Sequence, residues 1–527
     1  KVVEKKRPKA IANPPTKWKD EKIRDMTDKA RQYQIDGVKM IQAFNYNCLL
    51  ADQAGTGKTL QSLSAVRTSQ KYPVLIVCPS TLKINWKREI KMWADPKHRN
   101  SYYIVEGRKK QNFKNYKHVI INYDILYDHV KYITEEFKPI LSIVDEAHEL
   151  RGRYKIVSKY YPDYKLKRRE FVNVIKDKKV ICSRPAKRVE AAKWILNGFT
   201  AGEEKHAGYE WKGVPHKILM TATPMVNNAG DLYNILNMLD KTRFNDQEKF
   251  LDYFCTMGEG YKANMPVIKG SKNLDMLNKI LVESFMIRRL KKDILTELPP
   301  RIKTVLPQMM DDKSWKNYQE AEEDFVTWMK VNKNKNIHTE DQEKREKFTT
   351  LQKIALEGKL KACFKFVDDL LQEKDKKVII FAFHRDTIDK IMDKYKGSVV
   401  KVVGGMSSTK KQEAVDAFQT NKKIRVFAGN LQAASVGITL TESDTVVFYE
   451  FGWLPHWVDQ AIDRSHRMGL ESECMNAYFL PAAGTLEKII IKKLDQKLTA
   501  MEAGIDGKET DEEDLLAYLW EEYEKRA

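Results

Sequence analysis

The chain reads as an α/β protein of two parallel-sheet lobes with a helical region between them. Short runs of aliphatic and β-branched residues alternate with helix-period patterns, and the alternation occurs twice. The runs are apolar throughout rather than at every second position, which marks strands covered on both faces, the environment of a parallel sheet. Length agrees, since 527 residues exceed the ~250–300 at which one hydrophobic core usually stops growing.

Taken in order, residues 1–20 are rich in Lys and Pro and are expected to form a flexible basic arm. Lobe one is expected over 21–240, with strands at Val74 to Val77, Val119 to Ile121, Ile140 to Val144 and Ile218 to Met220. Inside it, 151–180 is strongly basic and tyrosine-bearing, and reads as an insertion that either contacts nucleic acid or is a plain surface loop. A charged, helical inter-lobe region is expected over 241–355. Lobe two follows over 356–500, with strands at Val378 to Phe381, Ile424 to Phe427 and Thr445 to Tyr449. The tail, 501–527, combines an acidic run with an amphipathic Leu/Trp/Tyr helix.

The formal net charge of +20 favours a polyanionic partner and a salt-sensitive encounter, although a solvated basic surface would give the same balance. The six cysteines and ten histidines are scattered without Cys-x-x-Cys or zinc-ligand spacing, so a disulfide framework and a zinc site are not expected. A reducing, intracellular compartment fits best. Apolar runs stay short of the ~18–20 residues of a membrane span, so no membrane association is expected.

Three motifs carry chemistry. Asp52-Gln53-Ala54-Gly55-Thr56-Gly57-Lys58-Thr59 lies between a strand-like run and a helix pattern. Its glycines let backbone N–H groups close on phosphates at a helix N-terminus. Lys58 would reach the β- and γ-phosphates of ATP and Thr59 would ligate Mg²⁺. Asp52 stands where the strict phosphate-loop pattern has its first glycine. Asp145-Glu146-Ala147-His148 ends an apolar strand, so Asp145 is expected in the Mg²⁺ shell and Glu146 as the base that positions water. The alternative is an acidic strand end with a solvated histidine. In Gln460-Ala461-Ile462-Asp463-Arg464-Ser465-His466-Arg467 two arginines lie three apart and are expected on one helix face. They would supply charge to the transferring phosphoryl group if lobe two closes over the cleft; an ion-paired surface helix is the alternative.

The order of these motifs resembles the Snf-type, chromatin-remodeller-like ATPases of helicase superfamily 2, from about residue 30 to 495. Phe285-Met286-Ile287-Arg288-Arg289-Leu290-Lys291-Lys292-Asp293 with Leu298-Pro299-Pro300 is similar to a stretch typical of that family, as are Gly358-Lys359-Leu360, Gly437-Ile438-Thr439-Leu440 and Trp453-Leu454-Pro455. Phe381-Ala382-Phe383-His384 is similar to its annealing-helicase-like branch. The resemblance implies RecA-like lobes and an adenine-side motif at Arg31-Gln32-Tyr33-Gln34, with Gln34 reading the base and Arg31 or Tyr33 near the ring. Gly55, Thr56, Gly57, Lys58, Thr59 and Gly437 would complete the ATP site. It implies coupling roles for Thr221, Thr223 and Gln460, and duplex-DNA contacts at Ser80, Thr81, Gly404, Gly405, Asn430 and Trp453. Gln432, Leu470 and Lys411 depart from the family's usual residues.

The expected function is therefore a DNA-dependent ATPase, a monomeric motor that moves along double-stranded DNA through backbone contacts, in repair, remodelling or protein displacement. A strand-separating or strand-annealing helicase, an RNA-dependent ATPase and a non-catalytic DNA-binding scaffold are the alternatives. The compartment would be the cytoplasm in a bacterium or virus and the nucleus in a eukaryote.

Overall fold

The structure is a computed structural model that describes residues 30–151, 157–158, 171–175, 178–182, 186–201, 208–225, 228–259, 266–295, 297–332, 340–434, 438–450, 455–467 and 469–492. Two compact units divide between residues 296 and 297. The arm 1–20, the tail 501–527, Gly437 and Trp453 lie outside the described residues.

Lobe one contains strands β1 (Asn47–Leu50), β2 (Val74–Cys78), β3 (Tyr102–Ile104), β4 (His118–Asn122) and β5 (Leu141–Asp145). After β6 (Val157–Ser158), β7 (Phe171–Ile175) and β8 (Lys178–Cys182) come β9 (His216–Met220), β10 (Cys255–Glu259), β11 (Pro266–Ser271) and β12 (Met286–Ile287). Seven of these form a sheet of order β12-β1-β9-β5-β2-β4-β3, with parallel pairing throughout. Every residue of β2 and β4 is buried, and so are Leu141 to Val144 of β5. Unbroken apolar runs form here because helices cover both faces, and each fully buried Val, Ile or Leu side chain contributes about 1.5–3 kcal/mol. Within the basic insertion, β6, β8 and β7 form an antiparallel sheet of their own.

Lobe two contains β13 (Arg301–Val305), β14 (Val378–Ala382), β15 (Val399–Val402), β16 (Val426–Asn430), β17 (Thr445–Phe448) and β18 (Met475–Phe479). Their order is β13-β18-β17-β14-β16-β15, again wholly parallel. Phe381, Phe448 and Phe479 stack across three neighbouring strands, with ring centroids 5.6 Å and 4.8 Å apart. The helices Asp312–Asn332 and Glu340–Leu370 pack on each other through Phe325 and Phe348. Lys359 is fully buried, donating to Leu480 O at 2.8 Å and to the Glu487 carboxylate at 2.7 and 2.9 Å.

The two-lobed parallel architecture is as expected, but the helical inter-lobe region over 241–355 is not a body of its own. The division at 296/297 cuts through it, β10 and β11 form an antiparallel hairpin on the lobe-one side, and β12 and β13 are edge strands of the two sheets. β12 has two residues, and β13 (RIKTV) mixes charge with two apolar side chains, Ile302 and Val305, that are both exposed, so neither shows as an apolar run. Ile140, expected in β5, lies outside the strand and is exposed.

Candidate active site

A parallel sheet brings the C-terminal ends of its strands to one edge, where the loops that leave them can share a site. In lobe one Leu50 of β1 pairs with Met220 of β9, and Met220 pairs with Asp145 of β5. The glycine turn, Thr221-Ala222-Thr223 and Asp145-Glu146-Ala147-His148 therefore begin level with one another on adjacent strands.

Gly55 and Gly57 have φ angles of 83° and 80°, a region in which a side chain would be strained. Gly57 caps the helix Lys58–Ser69, whose N-terminus favours negative charge. Lys58 is the first residue of that helix; its Nζ donates to Asp52 O at 2.7 Å and Gln53 O at 3.1 Å, so the ammonium lies across the loop. Thr56 is buried and donates through Oγ1 to Gln53 O at 2.9 Å. Thr59 follows Lys58 in the first turn of the helix.

The expected base-side segment is built onto the same turn. Tyr33 donates its hydroxyl to Thr56 O at 2.9 Å, and buried Gln34 donates Nε2 to that oxygen at 3.1 Å. Gln34 Oε1 accepts the Arg31 backbone N–H at 3.0 Å, while the Arg31 side chain is exposed. Burial pushes the Tyr33 hydroxyl up to about 12, so it stays a donor.

At the end of β5 the Glu146 backbone is left-handed, with φ 53°, an uncommon state for a residue with a Cβ. Its N–H donates to Asp145 Oδ1 at 3.0 Å. Trp86, buried on the helix Lys83–Trp93, donates Nε1 to Asp145 Oδ2 at 2.9 Å. Desolvation, followed by the neighbouring Glu146 charge, pushes the Asp145 carboxyl up to about 7; the Trp86 hydrogen bond and the Lys58 charge pull the other way. His148 Nδ1 lies 3.3 Å from Glu146 Oε2 and 3.1 Å from Thr221 Oγ1. Thr221 Oγ1 also accepts the Thr223 N–H at 3.1 Å, so a hydrogen-bonded chain links the acidic loop to the threonine loop. Asp145 and the Thr59 hydroxyl are hard oxygen donors of the kind Mg²⁺ uses beside substrate phosphates and water. Among the described residues no cluster of three or more His, Cys, Asp or Glu could cage a metal ion.

Ser80 and Thr81 lie on the short 3₁₀ turn Ser80–Leu82 just beyond β2, Ser80 exposed. In lobe two, Gly404 and Gly405 follow β15, Gly405 has φ 83°, and Arg385 Nη2 donates to Gly404 O at 2.7 Å. Asn430 ends β16 and donates Nδ2 to Phe383 O. Gln460 is buried on the helix Pro455–Ile462. That helix stops before the arginines, so Arg464 and Arg467 do not share a helix face as expected. The backbone tightens into i−3 bonds there, Arg464 N to Ala461 O and Ser465 N to Ile462 O, both 3.1 Å. Arg464 is buried and donates Nε to Gln460 O at 2.9 Å; Arg467 reaches Thr439 Oγ1 at 2.8 Å. Of the departures from the family pattern, Leu470 packs on the lobe-two core and Lys411 is buried, which pulls its ammonium below the usual value.

Sequence reasoning assigned no role to Arg288 and Arg289. Arg289 Nε donates to Asp52 Oδ1 at 3.0 Å and Nη2 bonds the other carboxylate oxygen, so the residue in the place of the first glycine is the fully buried arm of a bidentate pair whose arginine stays partly exposed. Arg288 Nη1 donates to Ala51 O at 2.9 Å and Ala222 O at 3.3 Å. The signals available were Asp52 in the place of the first glycine and the family-like stretch Phe285 to Asp293 that carries both arginines.

The fold and these loops define a class, a two-lobed parallel α/β protein with a phosphate-loop turn at the C-terminal edge of its first sheet. Comparison with known proteins is more specific. The SNF2-related domain matches residues 33–172 and 212–365, and the helicase conserved C-terminal domain matches residues 358–469. The chain belongs to the SNF2-related family. It is 27% identical to the SWI/SNF-related matrix-associated actin-dependent regulator of chromatin subfamily A-like protein 1 of Xenopus laevis, over 90% of this chain and 44% of that protein. It is 25% identical to the DNA annealing helicase and endonuclease ZRANB3 of Homo sapiens, over 90% of this chain and 40% of that protein. The chain thus spans less than half the length of these relatives. Among solved structures it is similar to the Sulfolobus solfataricus SWI2/SNF2 ATPase core in complex with dsDNA, at 21% identity over 93% of this chain and 94% of that one, with a TM-score of 0.38.

Proposed function

We propose that this chain is a nucleic-acid-stimulated ATPase that moves along double-stranded DNA. The observation that carries the reading is the register of Leu50, Met220 and Asp145, which starts a phosphate-loop turn, a threonine relay and an acidic pair side by side at one sheet edge. In this reading Lys58 and the helix N-terminus hold the phosphates, and Tyr33 and Gln34 set the base side. Glu146, oriented by His148, takes the proton of the attacking water. Mg²⁺, held by Asp145 and Thr59, would neutralise charge on the phosphates when bound. Arg464 and Arg467 are the proposed source of further positive charge on the transferring group, a contribution typically worth ~10³–10⁵ in rate.

Family membership and the net charge of +20 support DNA as the track. Ser80, Thr81, Gly404, Gly405, Asn430 and Trp453 are its proposed contacts, with Gln460 coupling hydrolysis to movement. Cys48, Cys78, Cys255, Cys363 and Cys474 are free thiols, which supports action in a reducing compartment. We propose a monomeric motor. A second reading, strand annealing, is favoured by the name of the human relative and by Phe381-Ala382-Phe383-His384.

The test is one panel: ATP turnover without nucleic acid and with single-stranded, duplex and branched DNA and duplex RNA, alongside annealing of complementary strands. Duplex DNA is expected to stimulate turnover most, and Glu146→Gln to remove it by about 10²–10⁴-fold while nucleotide still binds. Stimulation by duplex RNA over DNA, or turnover that survives Glu146→Gln, would reject the reading.

A further inference from the structure

We infer that Arg289 is a positioning residue of the nucleotide site, which locks the phosphate loop to the base-side segment through Asp52. The inference rests on the reading of that loop as the ATP site and adds a residue that acts on it from outside the motif.

Guanidinium offers five N–H donors in a rigid fork. Arg289 spends four of them on three separate pieces of chain. Nε and Nη2 take the two oxygens of fully buried Asp52, at the start of the phosphate loop. Nη2 also donates to Gln61 Oε1 at 2.7 Å, on the helix that follows the loop. Nη1 donates to the Tyr33 backbone carbonyl, and the guanidinium lies 5.4 Å from the centre of the Tyr33 ring. Gln61 closes the circuit by donating Nε2 to Asp52 Oδ2 at 3.2 Å. Backbone bonds fix the same register, because Gln53 N donates to Arg289 O at 3.2 Å and Lys291 N donates to Gln53 Oε1 at 2.6 Å.

A glycine nearby makes room for this arrangement. A Cβ on Gly37, in the helix Gln32–Ala43, would fall 1.9 Å from Gln61 Oε1 and 2.7 Å from Arg289 Nη2, so this base-side helix can approach only where a side chain is missing. Removing one partner of a buried pair leaves the other charged and desolvated, and the loop then relaxes to compensate it. Tyr33 and Gln34 bond to Thr56 O on the far side of the turn, so loosening Asp52 disturbs base and phosphate contacts together. Lysine cannot replace the fork, being a single charge without the planar bidentate face.

The experiment measures the Kd of a fluorescent ATP analogue without DNA, ATP KM and kcat with saturating duplex DNA, and duplex affinity without nucleotide. Wild type is compared with Arg289→Lys, Asp52→Asn, the Asp52→Asn/Arg289→Gln pair and Gly37→Ala, each checked for cooperative thermal unfolding. Nucleotide Kd and KM are expected to rise about tenfold or more in the single variants, with duplex affinity unchanged and the pair costing less than the product of its parts. Gly37→Ala keeps every partner and moves the same constants by about three- to fivefold, through displacement of Gln61 and Arg289. Folded Arg289→Lys and Gly37→Ala proteins that bind nucleotide as wild type does would overturn the assignment alone. A wild-type chain that binds no nucleotide would overturn the ATP reading and the assignment with it.

Discussion

Each lobe carries an acidic residue at or just beyond the C-terminal end of a central strand, and the two are treated in opposite ways. In lobe two Glu450, buried just beyond β17, accepts the Phe383 and His384 backbone N–H groups at 2.8 and 3.0 Å and pairs with His384 Nδ1. Those partners outweigh desolvation and hold its carboxyl below the usual range. In lobe one Asp145 has the Trp86 indole and one backbone N–H, and its carboxyl is pushed up to about 7. A carboxylate satisfied by its own protein is part of the architecture. One left under-compensated at a sheet edge beside a second acid is poised for a cation from outside. The difference separates scaffold from site without reference to sequence motifs.

Neutralising each carboxylate should therefore move stability in opposite directions. Asp145 binds its proton more tightly folded than unfolded, so its ionisation destabilises lobe one as pH rises from the unfolded value of 3.8 through about 7. Asp145→Asn removes that penalty and is expected to raise unfolding free energy at pH 8 by roughly 1–3 kcal/mol. The same change should cut ATP turnover on the order of 10²-fold or more, since the metal loses its protein carboxylate. Glu450→Gln breaks a buried pair and should cost lobe two about 3–5 kcal/mol. Urea unfolding at pH 8 with parallel ATPase assays decides the matter; two variants destabilised alike would dissolve the contrast.

Legibility in the sequence followed distance along the chain. The glycine turn, Asp145-Glu146 and Thr221-Ala222-Thr223 are local strings, and all three are brought to one edge by strands whose apolar runs were readable. The Arg289–Asp52 pair, Trp86 to Asp145, and His384 to Glu450 join residues far apart in sequence, and no local periodicity marks them. β12 and β13 were missed because an edge strand of two residues, or one with charges among its apolar side chains, leaves no hydrophobic run. The arginine segment was read as a helix because its spacing is helical, whereas i−3 bonding ends the helix at Ile462.

The contrast sharpens at Trp86, whose indole donates to Asp145 at 2.9 Å. Trp86→Phe keeps a ring in the buried position but deletes the donor, so the carboxyl rises further and competes less well for a cation. Loss of a group that orients a metal ligand typically costs 10–100-fold in metal affinity, so half-maximal ATPase should need about tenfold more Mg²⁺. Turnover at saturating Mg²⁺ should fall far less. A Mg²⁺ titration that superimposes on wild type would show that the indole merely fills space.

The smallest effect expected is the pH dependence of the satisfied pair. The hydrogen bond and charge of Glu450 raise the His384 imidazole above its usual value, against desolvation and the Lys353 charge, with Asp386 adding to the rise. A raised histidine contributes stability fully below its unfolded value near 6.5, and the contribution is lost as pH climbs through the higher folded value. Glu450, depressed, contributes above its unfolded value near 4.5 and is lost as pH falls through the lower folded value. The pair therefore stabilises lobe two most between about pH 4.5 and 6.5 and weakens on the alkaline side. His384→Gln should flatten that alkaline slope while leaving stability at pH 9 near wild type, because neutral imidazole and the amide each offer one donor to Glu450. Thermal unfolding of both proteins from pH 5 to pH 9 measures it, and a gap that stays constant across the range would mean that His384 packs against Glu450 without carrying charge.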